Sequence, residues 1–521
     1  MRAAQALVAF SILLILGVPL AVRSGSSRRQ APGGARTLIV VTPHVQQIRV
    51  EFAEAFDRWH RREYGEPVRI DYRQPGGTSE IVRQLQAQFN AAIRAGRISP
   101  DGSCDPGTIG YDVMLGGGSY DHTRLKRGDG VRAVPPGSAE AITVAMSVPA
   151  GFSQEQLDRW YGANRIGAAR LYDPDQYWLG TALSSFGIVY NRELVERMGL
   201  PEPRQFGDLT RPEYAGWVAL CDPRQSGSIT TTFDSILNNF GWERGWRLLR
   251  EMTANTRYFT NSSTKPPIDV SLGEAAAGLA IDFYGRGQAQ SVLAPGQQPG
   301  QGRVGYVDPK GTVFIDPDPV SIIRGGPHPE LARRFVRFCL TEEAQAVWQF
   351  PARDRPESAD NPTGPDGQPM GPMHNELRRM PVRRVMYEKY LDHFVDKVDP
   401  FAIASPVQSR GWRSSIGIMM GAFAIDSAKE QRQAWRALTR ARQDPDFDPD
   451  VLAQMERLFY AFPPCRDAEG RTLEFTEQNY RAIRGAWRDP DLKERAAIQY
   501  SIFFRANYRR VVELARRTDT G

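Results

Sequence analysis

The sequence predicts an α/β fold of two lobes, joined by two extended crossover strands and followed by a helical region at the C-terminus. Three observations support this prediction. Strand, loop and helix patterns alternate three times between residues 38 and 120. Two long extended segments, 183–191 and 311–324, flank a second α/β unit. From residue 351 the pattern changes to a loop rich in Pro, Gly and Asp, and then to helices.

In the first α/β unit, each predicted strand ends in a short polar loop before a helix. The strands are 38–41, 68–72 and 111–115. Strands that alternate with helices favour a mostly parallel sheet with helices on its faces. Polar loops at helix starts are frequent ligand sites, because a helix N-terminus presents unpaired backbone N–H groups. We assign residues 36–182 and the returning segment 325–350 to lobe 1.

The second α/β unit and the crossover strands form lobe 2, residues 183–324. A short apolar strand, 217–221, leads through a polar turn into a Ser/Thr-rich helix over 229–240. A helix over 242–253 follows, and a second apolar strand, 277–281, ends at Asp282, Phe283 and Tyr284. After lobe 2, apolar residues at helical spacing predict one amphipathic helix over 329–348.

The composition indicates a globular protein, and the charge and motif content disfavour nucleic-acid-binding proteins and enzymes. The chain has 521 residues, with 41% hydrophobic and 24% charged residues. A net charge of +6 is mild for this length, and the sequence has no zinc-finger spacing, no RRM signature and no lysine-rich tail. We therefore expect no nucleic-acid partner. We also expect a monomer. GxSxG, HExxH and P-loop motifs are also absent from the sequence, so we predict a protein that is not an enzyme.

Residues 1–35 read as a signal peptide or membrane anchor with a linker. Arg2 precedes an apolar run over residues 3–22, long enough to span a bilayer if it is retained. Cleaved signal and retained anchor both remain open, and both place the rest of the chain in the periplasm or otherwise outside the cytoplasm. In that oxidising setting, a disulfide between Cys104 and Cys465 also remains open.

The last region, 351–521, is predicted to be a helical extension that packs on lobe 1 and lengthens its wall. Predicted helices cover 383–398, 427–442, 448–462 and 489–517. Two of them begin with Asp448-Pro449 and Asp489-Pro490, where Asp caps the helix and Pro occupies its first turn.

The order of these motifs resembles the extracellular solute-binding proteins of bacterial ABC transporters, in particular their ferric-iron, thiamine and phosphonate-binding branch. The resemblance covers roughly residues 37–350. The motifs that carry it are the strand before His44, the loop 75–79, Tyr111-Asp112-Val113 before the glycines and Ser119, 185–191, 217–220 with Asp222-Pro223 and Ser226-Gly227, 282–284, and the helix over 331–348. The extension is longer than we expect for this family.

The resemblance implies a type II periplasmic-binding-protein fold, a cleft that closes on a small-molecule or ion ligand, and delivery of that ligand to an ABC permease. Ferric-binding members use a His, a Glu and two adjacent Tyr. His44 and Tyr284 match that pattern, whereas Gly118 or Ser119 stands at the Glu position and Phe283 replaces one Tyr. Ferric iron, bound by His44 and Tyr284, therefore stays open as the transported ligand, and no other cofactor is expected.

Without iron, the loops suit a small polar or anionic ligand held by backbone N–H groups and hydroxyls. The predicted ligand-binding residues are His44, Gly76, Gly77, Thr78, Ser79, Gly118, Ser119, Ser184, Ser185, Ser226, Gly227, Ser228, Asp282 and Tyr284. The alternative for the glycines and hydroxyls is a role in turns and helix caps alone. The alternative for the whole protein is a membrane-tethered sensory or scaffold protein that uses the same fold.

Overall fold

The computed structural model of the protein describes residues 35–294, 297 and 300–518. The apolar run of the predicted signal or anchor, residues 3–22, lies outside the described residues. Within the described residues, no helix combines the length and the apolar character needed to cross a membrane.

The strands of the described chain form one large sheet and one small hairpin. The strands are β1 Arg36–Val41, β2 Val68–Arg73, β3 Val113–Leu115, β4 Ser147–Val148, β5 Leu179–Asn191, β6 Val218–Cys221, β7 Thr256–Thr260, β8 Ala277–Ile281, β9 Val304–Val307, β10 Ile315–Ile323, β11 Met380–Pro381, β12 Cys465–Arg466 and β13 Thr472–Leu473. The large sheet has the order β2-β1-β3-β10-β5-β8-β6-β7, and β12 and β13 form the hairpin.

Helices cover both faces of the sheet and form most of the C-terminal region. The α-helices are α1 Gln46–Tyr64, α2 Thr78–Arg94, α3 Ser119–Arg127, α4 Gln154–Tyr161, α5 Arg192–Arg197, α6 Gly227–Phe240, α7 Trp242–Ala254, α8 Lys265–Ser271, α9 Asp282–Ser291, α10 Pro329–Cys339, α11 Glu342–Gln349, α12 Arg384–Tyr390, α13 Pro400–Ile403, α14 Arg413–Met420, α15 Ala428–Gln443, α16 Pro449–Tyr460, α17 Tyr480–Ala486 and α18 Pro490–Thr518. A π-helical turn, Gly421–Ile425, continues α14.

Two long strands connect the lobes. The first half of β5 pairs antiparallel with β10, and its second half pairs antiparallel with β8 and β9. β10 in turn pairs with β3 of lobe 1. Strands β1, β2 and β3 are mutually parallel, as are β6, β7 and β8. The predicted α/β fold of two lobes with two crossover strands is therefore confirmed.

The predicted helix over 329–348 is in fact two helices. α10 ends at Cys339, and α11 begins at Glu342. Thr341 caps α11, because its Oγ1 accepts a hydrogen bond from the backbone N–H of Ala344 at 3.2 Å. The apolar pattern continues through this break, since both helices bury their apolar faces in the same lobe 1 core. Periodicity alone therefore did not reveal the interruption.

The expectation that the whole extension packs on lobe 1 is wrong. Residues 351–405 do pack there, and β11 pairs with β5. Helices α14–α18 instead share one hydrophobic core with lobe 2. Trp242 of α7, for example, contacts Trp412 at 5.2 Å and Phe475 at 4.8 Å between ring centroids. An amphipathic pattern identifies an apolar face but does not say which apolar surface covers it.

The extension also surrounds a buried cation of lobe 2. Arg250 of α7 is almost fully buried and lies 4.4 Å from the ring of Phe462 and 4.8 Å from that of Phe504. Its guanidinium donates to the backbone oxygens of Phe459 and Ala461. Lobe 2 and helices α14–α18 are therefore built around one hydrophobic core.

The disulfide left open between Cys104 and Cys465 does not form, and all four cysteines are free. Cys104 lies in lobe 1 beside Gly325, whereas Cys465 is buried in the core that the extension shares with lobe 2. The two thiols therefore belong to different lobes.

Candidate ligand-binding site

A cavity of about 470 Å³ lies between the lobes, at the ends of their parallel strands. Its wall comes from the loops after β1, β2 and β3 in lobe 1 and after β6, β7 and β8 in lobe 2, together with both crossover strands. This volume suits a small organic molecule, because ligand pockets usually measure roughly 300–1,000 Å³.

Helix N-termini of both lobes meet at this cavity. α2 and α3 of lobe 1, and α6, α8 and α9 of lobe 2, all begin in or beside its wall. The first turns of these helices carry unpaired backbone N–H groups and a partial positive charge. Hydroxyl groups of Thr78, Ser79, Ser226 and Ser228 add further hydrogen-bonding groups to the wall. The wall is therefore rich in donors that suit an anion.

Most of the residues predicted from sequence to bind ligand line the cavity. They are His44, Gly76, Gly77, Thr78, Ser79, Gly118, Ser184, Ser226, Gly227, Ser228 and Tyr284. The local pattern of a strand followed by a small polar loop thus identified loops that line the cavity in both lobes, and ligand binding by these residues stays a prediction.

Three predicted residues, Ser119, Ser185 and Asp282, lie behind the cavity wall, and we no longer expect them to contact ligand. Ser119 donates through Oγ to Asp316 Oδ1 at 2.6 Å, and Ser185 donates through Oγ to Asp308. The Asp282 carboxyl has no exposed surface. In a strand, neighbouring side chains point to opposite faces, so of Ser184 and Ser185 only Ser184 reaches the wall.

A buried charged cluster forms the floor of the cavity. His44 Nε2 lies 2.8 Å from Asp318 Oδ2 and 2.9 Å from Arg379 Nη1. Arg379 forms an ion pair with Asp318, and the two side chains are each only 3% exposed. Burial pushes the pKa of Asp318 upward, but Arg379 and His44 outweigh it and hold that pKa below its usual value. The carboxyl is therefore charged and already partnered.

Arg379 is held rigidly in this cluster. It donates through Nη2 to Ser184 Oγ, and its guanidinium carbon lies 4.3 Å from the ring centroid of Phe283 and 5.6 Å from that of Trp348. These contacts come from lobe 1, the crossover strand β5 and the first turn of α9 in lobe 2. Arg379 thus fixes the floor where the two lobes join.

Gly116 makes room for the His44 ring. Its φ of +90° is in the left-handed region, and a Cβ atom there would lie 2.5 Å from His44 Cε1 and Nε2. A side chain at this position would displace the imidazole from the cluster. The glycine after β3 is therefore required by a close approach as well as by its backbone conformation.

A second carboxyl of the wall, Asp316, is partly neutral near pH 7. Burial raises its pKa to about 7, although the hydrogen bonds from the Ser119 hydroxyl and backbone N–H oppose that rise. A carboxyl in this state can donate as well as accept a hydrogen bond. Asp316 therefore repels an anion less than an exposed aspartate would.

The sequence did not reveal the second cation of the wall, Arg413, which is the first residue of α14. Its Nη1 donates to Thr231 Oγ1 at 2.7 Å and its Nη2 donates to the Gly227 oxygen at 2.9 Å. Arg379 was missed as well. Both lie in the extension, and no local pattern distinguishes them from the other arginines of an Arg-rich chain.

The geometry does not favour ferric iron as a ligand of His44 and Tyr284. The described residues contain no group of three or more His, Cys, Asp or Glu placed to hold a metal ion. His44 Nε2 lies 2.9 Å from Arg379 Nη1, and this cation disfavours a metal ion at that nitrogen. Burial raises the pKa of Tyr284 to about 12, which opposes the deprotonation that an iron-binding tyrosine requires.

Residues 150–371 match the family model described as bacterial extracellular solute-binding protein. A curated relative, the phosphoglycerate transport regulatory protein PgtC of Salmonella typhimurium, is 23% identical over 279 residues. The match covers 50% of this chain and 66% of the relative, just under two thirds of the relative's own length.

Two solved structures show a partial likeness. The periplasmic binding protein AfuA from Actinobacillus pleuropneumoniae, with exogenous fructose-6-phosphate bound, is 16% identical with a TM-score of 0.43. The match covers 60% of this chain and 81% of AfuA. Trichodesmium FutA (IdiA), in complex with iron and citrate, is 14% identical with a TM-score of 0.47, and the match covers 74% of this chain and 98% of FutA.

Proposed function

We propose that this chain is a bacterial extracellular solute-binding protein, and that it captures a small anionic organic solute in the cavity between its lobes. The protein closes on the solute outside the cytoplasm and presents it to an ABC permease. The curated relative's name refers to phosphoglycerate transport, and a phosphorylated or carboxylated metabolite of that size suits a cavity of about 470 Å³.

The composition of the wall is the observation that carries this proposal. Helix N-termini of both lobes supply N–H donors, and the hydroxyls at 78, 79, 226 and 228 can donate as well. Four carboxyls of the described residues line the cavity, and each is paired, hydrogen-bonded or buried. Asp318 pairs with Arg379, and Asp316 accepts from Ser119. Glu80 pairs with Arg83, and burial raises the pKa of Asp121. The groups left for a ligand are therefore mainly donors, which favours an anion over a cation.

The membrane-tethered sensory or scaffold alternative has the same cavity and would bind the same class of solute. Genes encoding a permease and an ATPase beside this one would favour transport, whereas a neighbouring kinase gene would favour sensing.

Binding and closure are both measurable on the purified protein. Isothermal titration with 3-phosphoglycerate, glycerol 3-phosphate, glycerate, ferric citrate and glycerol should give heat with organic anions and none with glycerol. Small-angle scattering should show a smaller radius of gyration with the anion that binds. The variant Ser228→Ala, in the wall, should bind more weakly than Ser291→Ala, whose hydroxyl donates to Gln288 within α9. Binding of glycerol as tightly as the anions, or of none of the anions, would contradict the proposal.

A further inference from the structure

The cavity wall has two arginines, and the C-terminal extension supplies both of them. Arg379 lies at the floor against lobe 1, and Arg413 lies at the side of lobe 2. No lysine contributes to the wall among the described residues. The extension therefore supplies the arginines of the site, and both arginines lie C-terminal to residues 150–371, which match the family model.

The charge of Arg379 is already used within the protein. Its guanidinium pairs with Asp318, and both side chains are buried. A ligand at this position would therefore meet an ion pair with no net charge. Arg379 holds the floor together, and a different group must recognise a charged solute.

Arg413 has the opposite character. Among the described residues, its guanidinium donates to neutral oxygens, those of Thr231 and Gly227, and no carboxylate lies within ion-pair distance of it. Asp121 and Asp316 of the opposite wall, and Asp234 of α6, lie farther away and influence it only through space. A partly buried guanidinium with neutral partners still offers its charge and further N–H groups to a ligand.

The position of Arg413 spans the cleft. Its hydrogen bond to Gly227 places it at the N-terminus of α6 in lobe 2, while its guanidinium carbon lies 4.7 Å from the ring centroid of Tyr120 at the N-terminus of α3 in lobe 1. An anion held by Arg413 would therefore lie between helix N-termini of opposite lobes. Such binding would stabilise the closed arrangement.

Trp412, the residue before Arg413, anchors the start of α14 to lobe 2. Trp412 is 2% exposed and packs edge-to-face on Trp242 of lobe 2. Since α14–α18 share the core of lobe 2, Arg413 moves with that lobe when the cleft opens or closes. The extension thus holds a cation at a defined point of the wall.

We infer that the extension completes the binding site, and that Arg413 is the residue that recognises the anionic group, phosphate or carboxylate, of the solute. This inference rests on the proposed function and adds the recognising residue to it.

The test compares Arg413→Gln and Arg413→Lys with wild type, using glycerol 3-phosphate, glycerate and glycerol as probes. Arg436→Gln is the matched control, because Arg436 is an exposed arginine of the same extension and does not line this cavity. Arg413→Gln should weaken binding of the recognised anion about tenfold or more, the usual effect of losing a hydrogen bond to a charged group. Arg413→Lys should fall between wild type and Arg413→Gln, since it keeps the charge but not the planar fork.

The two probes distinguish the source of the charge. A loss confined to glycerol 3-phosphate identifies a phosphate, and a loss confined to glycerate identifies a carboxylate. Thermal unfolding of each variant checks that the fold is intact, and Arg436→Gln should bind within about twofold of wild type. If Arg413→Gln binds the anion as tightly as the wild-type protein does, the inference is wrong, but the proposed function stands. Absence of any anion binding by the wild-type protein overturns both.

Discussion

Asp282 gives the sharpest prediction about stability, because it is an uncompensated buried acid. It is the first residue of α9, has no exposed surface, and neither carboxyl oxygen has a hydrogen-bond partner among the described residues. Burial raises its pKa from 3.8 to about 7, although nearby Arg286 opposes that rise. The neutral acid is therefore the form that the folded protein prefers.

The sign of the pH dependence follows from this direction. Well below pH 3.8, the ordinary pKa of the group, the carboxyl is neutral in both states and does not disfavour folding. As pH rises from about 4 to about 7, the unfolded chain ionises first, so the folded state loses stability until Asp282 itself ionises. A pKa raised from 3.8 to about 7 corresponds to about 4 kcal/mol in total, at about 1.36 kcal/mol per unit. Roughly 2–3 kcal/mol of that falls between pH 5 and pH 8.

The assay is urea unfolding of wild type and Asp282→Asn at several pH values. Asparagine cannot ionise, so the stability of Asp282→Asn relative to wild type should increase by roughly 2–3 kcal/mol from pH 5 to pH 8. Taking the difference between proteins removes the effects of His122 and Asp316, whose pKa values burial also shifts. Asp158→Asn, at an exposed position on α4, should show no such trend. Parallel curves for wild type and Asp282→Asn would refute the reasoning.

Three other predictions concern the cavity floor and the extension. Gly116→Ala should weaken anion binding and cost about 1–3 kcal/mol of stability, because its methyl group collides with His44. Gly107 has a similar φ but nothing within 4 Å of an added Cβ, so Gly107→Ala should show only the backbone cost. Equal losses of stability in the two variants would exclude the collision. Arg379→Met should cost about 3–5 kcal/mol in urea unfolding, since it leaves Asp318 buried without its cation, and adding Asp318→Leu should recover much of that loss. Deletion of residues 376–521 should give an aggregating protein, since it exposes Trp242 and Trp246 of lobe 2, and a soluble, ligand-binding product in size-exclusion chromatography would contradict this.

Local sequence patterns were sufficient for the lobes and for most of the wall. The predicted strand 38–41 lies within β1, and the helix predicted over 242–253 is α7 within one residue. The loops that follow β1, β2, β3 and β6 reach the cavity as expected. These features depend on hydrophobic period, turn residues and helix starts, all of which act over a few neighbouring residues.

The same local rules could not decide which of two adjacent residues faces a ligand. Ser184 lines the cavity, whereas Ser185 lies behind it. Which of the two side chains reaches the cavity depends on which face of β5 is turned toward it. Asp282 likewise follows a strand in the expected way, yet its side chain is fully buried. The polar character of a loop therefore indicated the site, while tertiary packing selected the residues.

The sequence alone determined the α/β lobes, the crossover strands and the polar loops, because each follows from residues close together in the chain. Only the tertiary structure decided that the extension belongs to the site. His44 and Arg379 meet across 335 residues of sequence, and Arg413 reaches Thr231 across 182. Contacts at such separations depend on which apolar faces pack together, and a periodic pattern does not specify its partner.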